Sequence, residues 1–152
     1  MRYEQVRTIL QQLAPAYHRR VCGYYQQLAE GEVSPRVRMM LNYLIDHELQ
    51  RAGALGTFCH AAPNKVLDHW LKGLEVNFPD ADPAILGSAA ATDLDQLIKA
   101  AVGFAMTLIN YFTYACEHSG DQQTRHLFQT LRTQEERAMK RMVRHSQGLA
   151  DL

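Results

Sequence analysis

The 152-residue chain carries 16 Lys and Arg against 16 Asp and Glu, so its formal net charge is zero, and a neutral chain has no general electrostatic attraction for nucleic acid or anionic lipid. Hydrophobic residues make up 47% of the sequence, which argues against disorder, and the length suits one domain that buries a core without disulfides. We therefore expect a single domain over residues 1–152, with neither nucleic acid nor a membrane as partner.

Two helices are predicted over about residues 3–60, the first hairpin of the chain. Apolar residues recur at helical spacing over about residues 3–30. Pro15 interrupts this pattern, and because proline removes a backbone hydrogen bond, either the helix is kinked there or a short helix ends before Pro15 and a second begins with it. Ser34 and Pro35 have the residue types of a helix cap and a first helical residue, so they predict the start of the next helix.

A long crossover is predicted over about residues 61–91, where prolines are frequent and only a short helix near residues 66–74 is indicated. Helical spacing resumes over about residues 92–148, with a break at Ser119 and Gly120 that makes a second hairpin. Alternating apolar and polar residues bounded by tight turns are absent, so we expect no strand. The order of hairpin, crossover and hairpin predicts an all-α four-helix bundle with one long crossover.

The two hairpins also match each other in sequence when the second is placed on the first with an offset of 87 residues. The matches include an aromatic pair, a glutamate at the turn, an arginine, a leucine and a glutamate further along. The pairs are Tyr24 and Tyr111, Tyr25 and Phe112, Glu30 and Glu117, Arg38 and Arg125, Leu44 and Leu131, and Glu48 and Glu135. This repeat predicts that Glu48 and Glu135 both face the axis between the helices.

The second hairpin resembles the C-terminal hairpin of rubrerythrin-type ferritin-like proteins, and residues 24–55 are similar in outline. The residues that carry the resemblance are Tyr111, Phe112, Thr113, Tyr114, Ala115, Cys116 and Glu117, then Arg125, Leu127, Phe128, Leu131, Glu135 and Glu136. The resemblance implies two hairpins that each supply one Glu from the first helix and a Glu-x-x-His pair from the second. It also implies a centre of two iron or manganese ions between them.

Only part of that ligand set is present at the matching positions. The glutamates of the two Glu-x-x-His pairs are Glu48 and Glu135. The other four positions carry residues that depart from the pattern, namely His18, Arg51, Ala105 and Ala138. The resemblance therefore implies a degenerate centre, whose candidate residues are His18, Glu48, Arg51 and Glu135.

Two interpretations of this centre follow from its residue types. In the first, Arg51 pairs with Glu48 or with Glu135 and a protonated His18 balances the other carboxylate, because buried charges need partners. In the second, His18, Glu48 and Glu135 hold a single iron, manganese or zinc ion. A permanent positive charge on Arg51 opposes a cation, so we predict a metal-free polar centre without a cofactor and keep a single iron or manganese ion as the alternative.

The function expected from a metal-free centre is that of a non-catalytic structural, regulatory or partner-binding module. The alternative is a metal-dependent oxidoreductase of the ferritin-like type with fewer ligands. We expect a homodimer, because tyrosines and methionines exceed the needs of the core, and a protein partner is a further possibility.

Two further features bear on compartment and partners. The three cysteines, Cys22, Cys59 and Cys116, lack metal or disulfide spacing, and no apolar run is long enough for a membrane span, so we expect free thiols in the cytoplasm. A basic run near the end of the last helix is interpreted as a solvated face, with a patch for nucleic acid or for an acidic partner as the alternative. Its members are Arg137, Lys140, Arg141, Arg144 and His145.

Overall fold

The computed structural model of the chain describes residues 2–74 and 77–152. The first part contains strand β1 (Arg2–Gln5), helix α1 (Val6–Thr8), a π-helical turn (Ile9–Leu13), and helices α2 (Ala14–Glu30), α3 (Pro35–Ala61) and α4 (Asn64–Leu67). Strand β2 (Trp70–Leu74), a 3-10 turn (Pro83–Ile85), helix α5 (Leu94–Glu117) and helix α6 (Gln122–Ala150) follow. The protein is mostly helical, as predicted for its class, with one small sheet added.

The chain stays helical through Pro15, so of the two alternatives at this residue the structure has the continuous helical segment. The backbone between α1 and α2 widens into the π-helical turn, where the Ala14 amide donates to the Ile9 carbonyl five residues earlier. Pro15 follows directly as the second residue of α2. The extra residue in the π-helical turn shifts the backbone hydrogen bonds next to Pro15, which has no N–H group to donate.

Two helical hairpins account for most of the molecule. Helix α2 packs along α3, and α5 packs along α6. The predicted start of α3 is confirmed, because the Ser34 hydroxyl accepts a hydrogen bond from the Val37 amide and Pro35 is the first helical residue. Asp121 caps α6 in the same way, since its carboxylate accepts from the Thr124 amide. The short connections place the helices of each hairpin antiparallel.

The two hairpins share one hydrophobic core, in which α3 contacts both α5 and α6. Aromatic rings from three helices meet there, with Tyr25 edge-on to Phe104 at 6.1 Å and Phe112 tilted against Phe128 at 6.2 Å. All four rings are almost fully buried. Two of these four rings, Tyr25 and Phe112, belong to the aromatic pairs of the sequence repeat.

The prediction that the chain has no strand is wrong. Strand β1 pairs antiparallel with β2, with Glu4 opposite Leu71 and Gln5 opposite Trp70. The predicted short helix near residues 66–74 is limited to α4. The strands are only 4 and 5 residues long and lie far apart in the chain, so neither the alternation nor the turn that usually reveals a hairpin is present.

The crossover continues as a strap, residues 77–85, that lies over the junction of α2 and α5. Phe78 of the strap inserts its ring between two tyrosines, at 6.5 Å from Tyr17 of α2 and 4.7 Å from Tyr111 of α5. Both contacts are edge-to-face, the geometry that aromatic quadrupoles favour. The strap thus covers one side of the space between the two hairpins.

Helix α5 is the one candidate membrane span among the described residues, because it is long and apolar enough by length and composition alone. The expectation that no apolar segment is long enough to span a membrane is therefore wrong for residues 94–117. The apolar face of α5 lies in the core, where Leu97, Phe104 and Leu108 are buried, and a core helix passes the same test. The expectation that no membrane takes part stays a prediction.

Candidate functional site

The four candidate side chains identified from the sequence lie together between the hairpins. His18 comes from α2, Glu48 and Arg51 from α3, and Glu135 from α6, and all four are at least nine-tenths buried. Nδ1 of His18 lies 2.6 Å from Oε2 of Glu48, and its Nε2 lies 3.3 Å from Oε1 of Glu135. The imidazole therefore bridges two carboxylates that belong to different hairpins.

Arg51 pairs with Glu135 across the molecule. Its Nε and Nη2 donate to the same oxygen, Oε1 of Glu135, at 3.1 and 2.9 Å. Of the two partners that the sequence left open, Glu48 and Glu135, the structure selects the one on the opposite hairpin. Because α3 and α6 meet at this point, the guanidinium links the hairpins with charge-assisted hydrogen bonds.

Helical periodicity explains why these charged residues are buried. Glu48 and Arg51 are three residues apart, so both lie on the core face of α3 that also carries Leu44 and Leu55. Glu135 follows Leu131 on the core face of α6 in the same way. The charges occupy positions that apolar residues fill elsewhere along the same stripes, so each needs a partner inside the protein. We call these four side chains, His18, Glu48, Arg51 and Glu135, the ion network.

The pKa values of His18 and Glu135 favour the charged form of each group. Burial alone would lower the pKa of His18, but the contacts with Glu135 and Glu48 outweigh it and raise the pKa to about 9. Burial alone would raise the pKa of Glu135, but His18 and Arg51 lower it to about 2. At neutral pH an imidazolium and a guanidinium therefore face Glu135 and Glu48, and the formal charges cancel.

Two tyrosines of α2, Tyr17 and Tyr25, lie beside the ion network. The Tyr17 hydroxyl donates to the Phe104 carbonyl at 2.8 Å, whereas the Tyr25 hydroxyl is buried without a partner among the described residues. Burial, and next the charge of Glu48, raise the pKa of Tyr25 well above its ordinary value. Both phenols are thus neutral, and the network is enclosed by apolar ring surface on this side.

The residues present do not fit the metal centre that the resemblance implies. Nδ1 of His18 contacts Glu48, its Nε2 lies 3.3 Å from Oε1 of Glu135 without a hydrogen bond to a described residue, and Arg51 occupies the same oxygen of Glu135. Among residues 2–74 and 77–152, no group of three or more His, Cys, Asp or Glu side chains is arranged to hold a metal ion. Ala105 and Ala138 supply no ligand atom. The arrangement is that of an internal salt bridge network, in which each acidic group contacts a basic one.

A polar pocket opens to solvent between α3 and α6 and reaches Arg51 from outside. We call it the α3–α6 pocket, and its lining includes Tyr43, His47, Gln50, Arg51 and Arg141. The ring of His47 is half-buried there, because it stacks on Tyr43 at 6.0 Å, and burial lowers its pKa. No spacing in the sequence joins Arg141 to residues almost 100 positions earlier, so the pocket was not predicted.

Comparisons with protein-family models, curated proteins and solved structures give no match. The resemblance to rubrerythrin-type proteins therefore rests on the residues of the repeat, and it enters below as a proposal. The geometry of the ion network does not depend on a comparison with another protein, and it is the main basis for the function proposed below.

Proposed function

We propose that the chain is a non-catalytic four-helix bundle of the ferritin-like kind, in which an ion network takes the place of a metal centre. Its function would be that of a structural, regulatory or partner-binding module. The observation that carries the proposal is the contact of Arg51 with Glu135, because a permanent cation occupies the carboxylate that a metal would need.

The placement of the repeat supports the ferritin-like part of the proposal. Positions 48 and 135, related by the offset of 87 residues, are both buried and both belong to the same network. Each lies on the second helix of its hairpin, where the rubrerythrin pattern has its Glu-x-x-His glutamates. Two hairpins that meet at these glutamates are what a four-helix bundle with one crossover requires.

Electrostatics supports the metal-free part of the proposal. Two unit charges 4 Å apart repel by about 4 kcal/mol at an effective dielectric constant near 20, and a divalent ion doubles this. A metal ion beside Glu135 would face the charges of both Arg51 and the protonated His18. Metal binding would therefore require His18 to lose its proton and Arg51 to move away.

Self-association and a cytoplasmic site of action complete the proposal. Met39, Leu49, Trp70 and Met106 are large apolar side chains with between 37% and 51% of their surface exposed, and such side chains favour contact between subunits, most often in a homodimer. Cys22, Cys59 and Cys116 are free thiols, which suits a reducing compartment.

Metal analysis of the purified protein tests the proposal. We expect far less than one iron, manganese or zinc ion per chain when no metal is added during purification. The matched variant is Arg51→His, which creates a Glu-x-x-His pair with Glu48 and removes the permanent charge, so it should bind more metal than the native chain. Near-stoichiometric metal in the native protein would overturn the metal-free centre.

A second candidate is a metal-dependent oxidoreductase with a single iron or manganese ion. The observation that favours it is the contact of His18 with both Glu48 and Glu135, which places three ligand-type side chains together. Added Fe²⁺ or Mn²⁺ would then raise the melting temperature with saturation near one ion per chain, and Glu48→Gln would abolish the rise. A melting temperature that does not respond to either ion would remove this candidate.

A further inference from the structure

The α3–α6 pocket has the size and the lining of a site for a small polar molecule. Its volume is about 360 Å³, within the range of roughly 300–1,000 Å³ that is common for ligand sites. Arg51 lies at its inner end, because that side chain is 10% exposed and also contacts buried Glu135. Arg141 of α6 is exposed and also lines the pocket. The pocket is therefore lined by one buried arginine from α3 and one exposed arginine from α6.

Arg51 has an unused hydrogen-bonding edge. Glu135 takes the N–H groups of Nε and Nη2 on one edge of the planar guanidinium, and both go to a single oxygen. Nη1 makes no hydrogen bond with a described residue. It is not one of the fully buried atoms that lack a partner, so part of its surface is accessible. The remaining edge, which combines one N–H of Nη1 and one of Nη2, is the fork that binds both oxygens of an oxyanion. Glu135 holds this fork in place.

The surplus charge beside the pocket is positive. The formal charges of the ion network cancel, and the other two charged lining residues, Arg141 and Asp46, have opposite signs. The surplus comes from Arg137, Lys140 and Arg144, which follow the same exposed stripe of α6 as Arg141. None of these four basic residues has an ion pair within the described part of the chain.

An aromatic stack fixes the two walls of the pocket relative to each other. The ring of Tyr43 on α3 lies almost parallel to that of His145 on α6, at 3.9 Å and an angle of 10°. His47, one turn after Tyr43, stacks on the same ring from α3. Since the stack connects α3 and α6 next to Arg141, the two helices that carry the arginines are held together before a ligand arrives, which lowers the entropy cost of binding.

We propose that the α3–α6 pocket binds the oxyanion of a small molecule, a carboxylate or a phosphate, between the free edge of Arg51 and the side chain of Arg141. This goes beyond the proposed function, because it needs only the Arg51 and Glu135 pair as the structure has it. A bound oxyanion would contact an arginine of each hairpin's second helix at once. Occupancy of the pocket would thus tighten the junction of α3 and α6.

Calorimetric titration with sodium phosphate and with sodium succinate, each at an ionic strength held constant with sodium chloride, tests the proposal. We expect saturable binding of at least one of them, and the one that binds identifies the group as phosphate or carboxylate. Arg141→Gln should weaken this binding by about tenfold, the typical value of one charge-assisted hydrogen bond. The matched control is Arg137→Gln, which removes the same charge from the same exposed face one turn earlier and does not line the pocket.

Two results would overturn the proposal. One is the absence of saturable binding of either anion. The other is an equal loss in Arg137→Gln and Arg141→Gln, which would mean general attraction to the basic face of α6. Because both arginines are exposed, both variants should fold, and circular dichroism verifies this. NMR signals of the His47 ring supply a second readout, and they should shift with the same saturation curve as the heat.

Discussion

The two hairpins contribute unequally to one buried centre. The first supplies His18, Glu48 and Arg51, whereas the second supplies Glu135 alone. At the positions 87 residues after His18 and Arg51, the second hairpin has alanines. The same helical register therefore carries two basic groups in one hairpin and two methyl groups in the other.

This difference makes the second hairpin depend on the first. Glu135 is 3% exposed, and no basic side chain of its own hairpin contacts it among the described residues. Both of its partners, His18 and Arg51, come from the first hairpin. By contrast, Glu48 meets His18 within the first hairpin. The charge of Glu135 can thus be buried only when the hairpins are docked.

Removal of Arg51 should reduce the free energy of unfolding more than any other change considered below. Arg51→Ala leaves Glu135 with one basic partner inside the core, and loss of one side of a buried pair costs on the order of 3–5 kcal/mol. Urea denaturation at neutral pH measures the free energy of unfolding. Arg137→Ala, an exposed change on α6, is the control and should stay within about 0.5 kcal/mol. Overlapping curves for Arg51→Ala and the native chain would mean that the pair does not stabilise the fold.

The stability that the ion network contributes should fall at high pH because of His18 and at low pH because of Glu135. His18 has a raised pKa, so its contribution is complete below its ordinary pKa of 6.5 and is lost as the pH rises through about 9. Glu135 has a lowered pKa, so its contribution is complete above 4.5 and is lost as the pH falls through about 2. Stability from the network is therefore greatest between these two ordinary values.

The alkaline loss should be of order 3 kcal/mol, from 1.36 kcal/mol for each unit of pKa shift. Thermal or urea unfolding from pH 3 to pH 9.5 measures both sides. His18→Gln is the matched variant. It should remove the loss between pH 6.5 and pH 9 and also make the acid loss smaller, because His18 is one of the two groups that lower the pKa of Glu135. A native curve that is flat over this alkaline interval would contradict a protonated His18.

Removing Arg51 and Glu135 together should measure how strongly the two side chains are coupled. The double variant Arg51→Met with Glu135→Met leaves His18 and Glu48, a balanced pair within the first hairpin. Replacing a buried ion pair by apolar residues of similar volume is often neutral or stabilising. We expect the double variant to recover about 2 kcal/mol relative to the sum of the single changes in a double-mutant cycle. Strict additivity would show that Arg51 and Glu135 are not coupled.

The smallest expected effect concerns the tyrosines at matching positions, Tyr24 and Tyr111. The Tyr24 hydroxyl donates to the Ala81 carbonyl of the strap at 2.9 Å, so Tyr24→Phe should cost about 1 kcal/mol. The Tyr111 hydroxyl is buried without a partner within residues 2–74 and 77–152, so Tyr111→Phe should be neutral or slightly stabilising. Chemical denaturation of the two variants checks the difference in sign, and a larger loss for Tyr111→Phe would contradict it.

Helices and their caps were accessible from the sequence because local signals specify them. Ser34, Pro35 and Asp121 act within one turn of their helices, and the apolar period identifies which face is buried. The four candidate residues came instead from the sequence repeat and from the resemblance to rubrerythrin-type proteins. Glu48, Arg51 and Glu135 do lie on the buried faces of their helices. The sequence could not predict that Arg51 pairs with Glu135 and not with Glu48, because this depends on how α3 and α6 approach each other.

Features that join distant segments were also beyond reach. Strands β1 and β2 are too short to show a period, and they pair only because helices bring residues 2–5 and 70–74 together. The π-helical turn before Pro15 has no sequence signature beyond the proline itself. The stack of Tyr43 on His145 joins α3 to α6, so neither helix alone indicates the pocket beside it.

The small sheet also has a consequence for the order of folding. Strand β1 precedes the first hairpin and β2 follows it, so their pairing fastens the two ends of residues 2–74 to each other. A segment whose ends are fastened forms a closed loop and behaves as a cooperative unit in hydrogen exchange. The described residues show no such fastening around the second hairpin. We therefore expect the first hairpin to close first as a foldon, and Glu135 to be the last charge that becomes buried.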